Sequence, residues 1–184
     1  MHHVDFAREE VDIAVRHGEG DWPALDVVLL STEQLFPVCN PKLLSGGCGL
    51  ARLADLLKFP LIHTGNRGWW AKWLAAAGID DRDAIHGPVL NRDAISIDAA
   101  INGQGIALAR TTLAAWDLIG GRLVRPFAEA LPLSKTYWIV CPKAVAAQPK
   151  IATFRDWLVS EVSDDMRQLK KLGWSTRTME VSAD

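Results

Sequence analysis

Short apolar runs alternate with polar breaks along most of this chain. We predict strands over residues 11–15 (VDIAV), 25–30 (LDVVLL) and 35–39 (LFPVC), because these runs are apolar, contain β-branched residues and end at Gly, Pro, Asn or charged residues. Residues 5–10 are predicted to end a short helix. Pro37 has no N–H to donate to a neighbouring strand, so the third run is expected at a sheet edge or a bend.

From residue 50 onwards, strand patterns alternate with helical spacing. The further predicted strands cover 60–63, 88–90, 105–109, 123–124 and 137–141. The predicted helices cover 50–57, 69–77, 95–102, 113–118 and 151–162. This alternation indicates an α/β fold with a largely parallel sheet. In the tryptophan-rich helix we place Trp73 in the core and leave Trp70 as a candidate for exposure, and we expect Trp174 to anchor the polar tail that starts at residue 163.

Composition limits the classes of function. The 184 residues are enough for one domain or two small lobes, and 20 basic against 22 acidic residues give a net charge of −2, which provides no electrostatic footprint for nucleic acid. The start has neither the basic nor the apolar stretch of a signal peptide, so we predict a cytoplasmic protein. Cys39, Cys48 and Cys141 are too few and too scattered for a disulfide framework and are expected to be small buried hydrophobes.

Motifs for catalysis are absent. The chain has no GxSxG, HExxH or P-loop sequence, and its five histidines show no metal-ligand spacing with the cysteines. Gly103-Gln104-Gly105 follows a predicted helix and precedes a predicted strand, which is the reverse of what a dinucleotide site needs. The sequence therefore predicts no enzyme, no metal and no cofactor.

Polar side chains do follow several predicted strands. Arg16 and His17 follow the first predicted strand. The strand that starts at residue 60 leads into His63, Thr64, Asn66 and Arg67, and Asp93 and Ser96 lie at the start of the next helix. Ligands of open α/β sheets lie at the carboxyl ends of strands, so this set predicts a small-molecule site. Each residue also has a structural explanation: Ser96 or Asp93 as a helix N-cap, Arg16 in a surface ion pair, and His63 as a core histidine.

Six runs, in order, resemble the effector-binding domain of LysR-type transcriptional regulators, and most closely the glycine-cleavage-activator subgroup. They cover most of residues 4–161 and read VDFAREEVDIAVRHGEGDWP, EQLFPVCNPKLL, DLLKFPLIHTGNRGWWAKWLAAAG, IDAAINGQGIALAR, GGRLVRPF and YWIVCPK…FRDWLVSE. The resemblance implies a periplasmic-binding-protein-like type II fold of two α/β subdomains around a cleft. It also implies subdomain I at 1–39 plus 142–184 and subdomain II at 40–141.

The same resemblance shapes the functional expectation. We predict a small effector, an amino acid or another small carboxylate, held by Arg16, His17, Thr64, Asn66, Arg67 and Ser96. Arg16 and Arg67 would pair with its carboxylate, and the other polar groups would orient it. Binding would shift the population of a dimer or tetramer that contacts DNA only through a helix-turn-helix domain absent from this chain. The second hypothesis is a solute-binding protein of a transport system, and the third is an enzyme on a related two-lobe scaffold.

The sequence departs from the family pattern at its start. A strand, a helix and a second strand that usually open the effector domain are missing, so subdomain I is expected to be truncated. The strands at 11–15 and 25–30 would then lack neighbours and leave bare edges and apolar surface. We predict that another copy of the chain or the tail covers them.

Overall fold

The computed structural model describes residues 4–45, 49–79, 86–173 and 176–179. Within these ranges the strands are β1 (Ala14–Gly18), β2 (Leu25–Ser31), β3 (Gln34–Val38), β4 (Leu61–Thr64), β5 (Val89–Leu90), β6 (Ile106–Arg110), β7 (Glu129–Pro132), β8 (Thr136–Pro142) and β9 (Arg177–Thr178). The α-helices are α1 (Lys42–Ser45), α2 (Gly68–Ala76), α3 (Asp93–Ile101), α4 (Thr111–Ile119) and α5 (Pro149–Lys171), and a 3-10 helix covers Leu53–Lys58. Residues 5–10 form turns and bends rather than a helix.

The described residues form two compact units. The first contains residues 4–33 and 133–167, and the second contains 34–132 and 168–179. These boundaries differ from the predicted crossings near residues 40 and 142. The difference arises because β3 pairs with β6 and β7, and because β9 in the tail pairs with β7, so both belong to the second unit.

The first unit is built on an antiparallel sheet of order β1-β8-β2. Val15 lies opposite Ile139 in one pair of strands, and Val27 lies opposite Val140 in the other. Among the described residues, both outer strands pair with β8 alone, and Val15 and Leu29 are 49% and 44% exposed. Within the described residues, the outer edges of β1 and β2 therefore have no further strand partner, and the tail strand β9 pairs with β7 of the second unit.

The second unit contains a mixed sheet of order β5-β4-β6-β3-β7-β9. Among the described pairs of this sheet, β4–β5, β4–β6 and β7–β9 are parallel, as expected, whereas β3 is antiparallel to both β6 and β7, so the sheet is mixed. Pro37 lies in an interior strand rather than at an edge. Proline has no backbone N–H to donate to a neighbouring strand. It is tolerated at position 37 because β7 pairs with β3 only at Gln34 and Leu35, so the β7 side of Pro37 needs no backbone hydrogen bond.

Two helices flank β4 on opposite faces. In the sheet, β4 lies between β5 and β6. The chain moves from β4 through α2 to β5 towards one edge of the sheet, and then from β5 through α3 to β6 towards the other edge. Because crossover connections between parallel strands are right-handed, this reversal places α2 and α3 on opposite faces of the sheet. Because strand side chains alternate, Thr64 and His63 point to these two different faces. This separation decides which predicted site residues can meet.

The helix α2 carries the largest buried side chains of the second unit. Trp70 and Trp73 are both buried, and the Trp70 indole Nε1 donates a hydrogen bond of 2.9 Å to the Ile62 carbonyl. The expectation that Trp70 is exposed is therefore wrong, and Trp69 is the partly exposed member of the cluster. Trp174, the predicted tail anchor, lies outside the described residues.

Gly105 explains the Gly103-Gln104-Gly105 motif without a cofactor. Its φ is +154°, and a Cβ at this position would overlap the Pro60 carbonyl oxygen. The glycine permits the close approach of the start of β6 to the start of β4, where the Ile106 amide donates to the same carbonyl. The motif is thus a packing requirement of the sheet.

Candidate functional site

Thr64 and Ser96 meet at the carboxyl edge of the second unit's sheet. Thr64 is the last residue of β4, and its Oγ1 lies 2.7 Å from the Oγ of Ser96 in the first turns of α3. Ser96 is completely buried, whereas Thr64 is half-buried. The pair therefore joins a buried serine to a threonine that is partly exposed at the edge of the sheet.

Ser96 is part of its helix rather than the residue before it. The N-cap of α3 is Arg92, whose carbonyl accepts a weak hydrogen bond from the Ser96 hydroxyl at 3.3 Å. The alternative explanation of Ser96 as an N-cap therefore does not apply. Its position just inside the helix instead brings the hydroxyl pair close to the amide groups at the helix start, which carry a partial positive charge.

An ion pair joins the end of β6 to the start of α3, the helix that contains Ser96. Arg110 ends β6, and its Nε is 3.6 Å from Oδ2 of Asp93, the first residue of α3. Asp93 and Ser96 are three residues apart on one helix and so share a face. The register of β4 with β6, in which Ile62 lies beside Ala107, also brings the ends of these strands together.

Arg110 was not among the residues predicted for the site. The rule applied to the other strands, that polar residues at the carboxyl end of a strand are candidates, would have found it directly after residues 105–109. Asp93 was named among the polar groups before this helix, with a helix N-cap as the alternative, but not among the residues expected to hold the effector. The contact between Arg110 and Asp93 is a tertiary contact that spacing along the chain does not reveal.

Arg67 takes part in a different contact network. Its Nη1 is 3.1 Å from Nε2 of His63, and its Nη2 donates 2.9 Å to the carbonyl of Gly87. His63 faces away from Thr64 on the strand, and Gly87 precedes β5. The guanidinium thus links the β4–α2 loop to the start of β5, and the structure does not place it beside the hydroxyl pair.

His63 is a buried histidine that accepts from an arginine. Its side chain is 1% exposed, and burial, together with the charge of Arg67, lowers its pKa to about 4. An arginine can only donate, so Nε2 is the acceptor and the proton of the neutral ring lies on Nδ1. The interpretation of His63 as a core histidine therefore agrees with its burial.

Asn66 uses its side chain for the turn. Its Oδ1 accepts 2.8 Å from the amide of Gly68, the first residue of α2. This bond holds the loop after β4 in position, and Asn66 itself is exposed. Its structural role is to start a helix next to the site.

Arg16 and His17 lie in the first unit. The strand that contains them is Ala14–Gly18, so they lie inside it rather than after it, and they point to opposite faces. The Arg16 guanidinium donates 2.7 Å to the Val4 carbonyl and lies 5.5 Å from the ring centres of Phe6 and Trp22. His17 packs against Tyr137, with ring centres 5.0 Å apart.

Two other features bear on function. The second unit has a cavity of about 470 Å³ between the ends of α4 and α5, lined mainly by apolar residues such as Leu118, Leu123, Phe127 and Leu169, with Arg125. Within the described ranges, no three His, Cys, Asp or Glu side chains are grouped as metal ligands, and no helix is long and apolar enough to cross a membrane.

Comparison with known families gives one match over most of the chain. Residues 3–163 match the family described as LysR substrate binding domain. The glycine cleavage system transcriptional activator of Escherichia coli is 35% identical over 166 residues, which are 90% of this chain and 54% of that protein. The HTH-type transcriptional activator AmpR of Citrobacter koseri is 33% identical over 156 residues, 85% of this chain and 53% of that protein. The chain thus spans about half the length of the curated relatives it matches.

Solved structures give the same match at the level of the fold. The AmpR effector binding domain from Citrobacter freundii superposes with a TM-score of 0.67 and 29% identity, over 88% of this chain and 80% of that one. The effector domain of AmpR from Pseudomonas aeruginosa gives a TM-score of 0.64 and 28% identity, over 89% of this chain and 77% of that one. The predicted resemblance and the predicted fold class are both confirmed.

Proposed function

This chain belongs to the LysR substrate-binding domain family, and we propose that it binds a small-molecule effector at the carboxyl edge of the second unit's sheet. As an effector-binding domain of a LysR-type regulator, it resembles proteins that are transcriptional activators. The contact between Thr64 and Ser96 carries the proposal for the position of the site. This hydrogen bond joins a strand end to a helix start at the edge where open α/β sheets bind their ligands.

The chemistry of this edge suits a small polar ligand. Each hydroxyl can both donate and accept, so the pair can turn to either kind of ligand group. Thr64 is partly exposed, and the buried Ser96 supports it from behind. The start of α3 adds backbone amides, and Arg110 adds a positive charge.

The predicted residues divide into three groups under this proposal. Thr64 and Ser96 contact or directly support the effector. Asn66 and Arg67 hold the loop after β4, and this assigns Arg67 a supporting role instead of the predicted carboxylate contact. Arg16 and His17 remain predictions for the first unit, in which Arg16 is packed against Phe6 and Trp22.

The proposal extends to the whole regulator. We infer that the longer protein controls transcription in the cytoplasm, contacts DNA through a helix-turn-helix domain and self-associates. The effector would bind one conformation better than another and so shift their populations, with no covalent chemistry. The open edges of β1 and β2 and the exposed Val15 and Leu29 support self-association through the first unit.

Calorimetric titration of the 184-residue chain tests the site. Amino acids and purines are titrated against the parent chain, Ser96→Ala and Thr64→Val. Loss of a hydroxyl contact is expected to weaken the binding of an effector by about fivefold or more. Ser163→Ala is the matched control, because this serine is exposed on α5 and belongs to the first unit.

Three outcomes decide the proposal. A ligand that binds the parent and the Ser163→Ala control equally, but binds Ser96→Ala and Thr64→Val more weakly, supports it. Equal affinity in all four proteins contradicts the site, and no binding by any compound contradicts the proposed effector class. Arg67→Ala is included to separate the supporting role from direct contact: a change in affinity for neutral and anionic ligands alike indicates support, and a change for anions alone indicates contact.

A further inference from the structure

The second unit contains an apolar cavity that shares no residue with the proposed effector site. Its volume is about 470 Å³, and its walls come from the end of α4, from residues 121–128 and from the end of α5. Small-molecule sites in proteins commonly have volumes of about 300–1,000 Å³, and an apolar cavity of about 150 Å³ already holds benzene. The cavity is therefore large enough for a molecule of roughly two or three rings.

Three leucines form the buried part of the wall. Leu118, Leu123 and Leu169 are 8%, 1% and 1% exposed, and they belong to three different segments of the unit. Phe127 is half-buried, and Leu172, which also lines the cavity, is 63% exposed. The apolar lining thus continues from the interior to the surface. An apolar molecule that enters gains in proportion to the apolar area that leaves water.

The backbone of this wall uses its polar groups within the protein. Val124 exchanges two hydrogen bonds with Cys39, with N···O distances of 2.9 and 3.0 Å. The amide of Leu123 donates to the Asp117 carbonyl at 3.1 Å. A polar ligand would exchange its hydrogen bonds to water for contacts with leucine and valine side chains, which neither donate nor accept. The walls therefore favour an apolar ligand over a polar one.

Among the described residues of the wall, Arg125 alone has a charged side chain, and protein groups hold it. Its guanidinium lies 4.8 Å from the Phe36 ring centre and donates to the Ala128 carbonyl and, at 3.3 Å, to the Thr176 hydroxyl. Burial lowers its pKa to about 10, so the side chain stays positive at neutral pH. This charge disfavours a cationic ligand, and an anionic ligand would compete with the contacts to Ala128 and Thr176. The arginine therefore favours a neutral ligand.

We propose that this cavity is a second ligand site of the chain and takes a neutral apolar molecule of roughly two or three rings. Its volume sets the size of the ligand, its leucine walls supply the affinity, and the engaged Arg125 sets the charge. A bound molecule covers Leu172 at the opening of the cavity. The inference does not depend on the effector site at Thr64 and Ser96.

The test uses N-phenyl-1-naphthylamine, a neutral three-ring molecule whose fluorescence increases in apolar surroundings. Titration of the 184-residue chain is expected to show one saturable site. Leu172→Asp places a charge at the opening, on an exposed side chain, and should weaken binding at least about fivefold. Leu113→Asp is the matched control: this leucine of α4 is 39% exposed and does not line the cavity, so the affinity should stay within about twofold.

A second variant fills the cavity. Ala128→Phe enlarges a residue of the wall and should weaken binding at least about tenfold, and urea denaturation checks that each variant still folds. The charge of the ligand is tested with 8-anilinonaphthalene-1-sulfonate, which has the same rings and an added sulfonate. We expect it to bind at least about fivefold more weakly than the neutral probe.

Several results would overturn the proposal. If folded Leu172→Asp and Ala128→Phe bind the neutral probe as tightly as the parent does, the probe lies elsewhere. If the sulfonate binds as tightly as the neutral probe, the site is not selective for neutral molecules. If the parent shows no saturable binding and Trp174→Ala does, the cavity is taken by this tryptophan, which lies outside the described residues. If neither protein binds the probe, the cavity is not a ligand site.

Discussion

The Thr64–Ser96 hydroxyl pair can be tested without any ligand. Ser96→Ala removes one partner of the 2.7 Å contact and a weaker 3.3 Å contact to the Arg92 carbonyl. A typical intramolecular hydrogen bond contributes about 0.5–1.5 kcal/mol to the free energy of unfolding, so we expect a loss of about 1 kcal/mol. Thr64→Val removes the other hydroxyl in a side chain of the same shape and should cost about the same or less, because Thr64 is partly exposed.

A double-mutant cycle isolates the contact. The free energies of unfolding of the parent, the two single variants and the double variant are measured by urea denaturation. We expect a coupling energy of about 0.5–1 kcal/mol, since the second substitution removes a bond that is already broken. Ser163→Ala should stay within about 0.5 kcal/mol of the parent, as exposed substitutions usually do. A coupling energy of zero would show that the two hydroxyls do not meet in solution, and Thr64 and Ser96 would then not form the proposed site.

Three further predictions concern the second unit and the thiols. His63 has a pKa of about 4 in the folded chain against 6.5 when free, so the unfolded chain binds more protons between these values. The free energy of unfolding should therefore fall as pH decreases from about 6.5 to 4, by on the order of 2 kcal/mol after solvent screening around Arg67, and the difference between parent and His63→Gln measures this component. Burial raises the pKa of Cys39 to about 11 and also raises that of Cys141, so neither thiol should react with a thiol reagent before the protein unfolds. Peptide mass spectrometry of the native protein after labelling checks this, and a label on Cys39 or Cys141 would contradict it. Trp70→Phe removes the 2.9 Å bond to Ile62 and buried ring area, and it should lower the free energy of unfolding by about 1–3 kcal/mol, whereas an unchanged urea midpoint would argue against the buried position.

Most helices and strands of this fold could be predicted from the hydrophobic pattern. The strand β2, the helix α2 and its end at Gly78, whose φ is +75°, all agree with it within a residue or two. These elements have strong local signals: a β-branched run in the first case, and helical spacing closed by a glycine in the second.

The pattern failed where tertiary contacts decide. The strand β7 has the sequence EALP, with no β-branched residue, and forms because β3 and β9 provide partners on both sides. The strand β1 begins at Ala14 instead of residue 11, because its register is set by pairing with residues 136–140 of β8. Local propensity contains neither piece of information.

The same reason limits what the sequence can say about the proposed site. Thr64 and Ser96 were found by asking which polar groups follow strands and start helices, and the structure brings them together. Arg67 was also found in this way, but its side chain turns to His63 and Gly87 on the other face of β4. The sequence shows that a residue lies in a loop next to a site, whereas the direction of its side chain depends on partners that are distant along the chain.

Chemical-shift mapping tests the central claim most directly. Amide resonances of the 15N-labelled chain are followed while the tightest binder among the titrated amino acids and purines is added. The account predicts that the largest shifts occur at Thr64, Ser96 and Arg110, at the carboxyl edge of the second unit's sheet. Shifts centred instead on the residues of the apolar cavity, such as Leu118, Leu123 and Leu169, would contradict it.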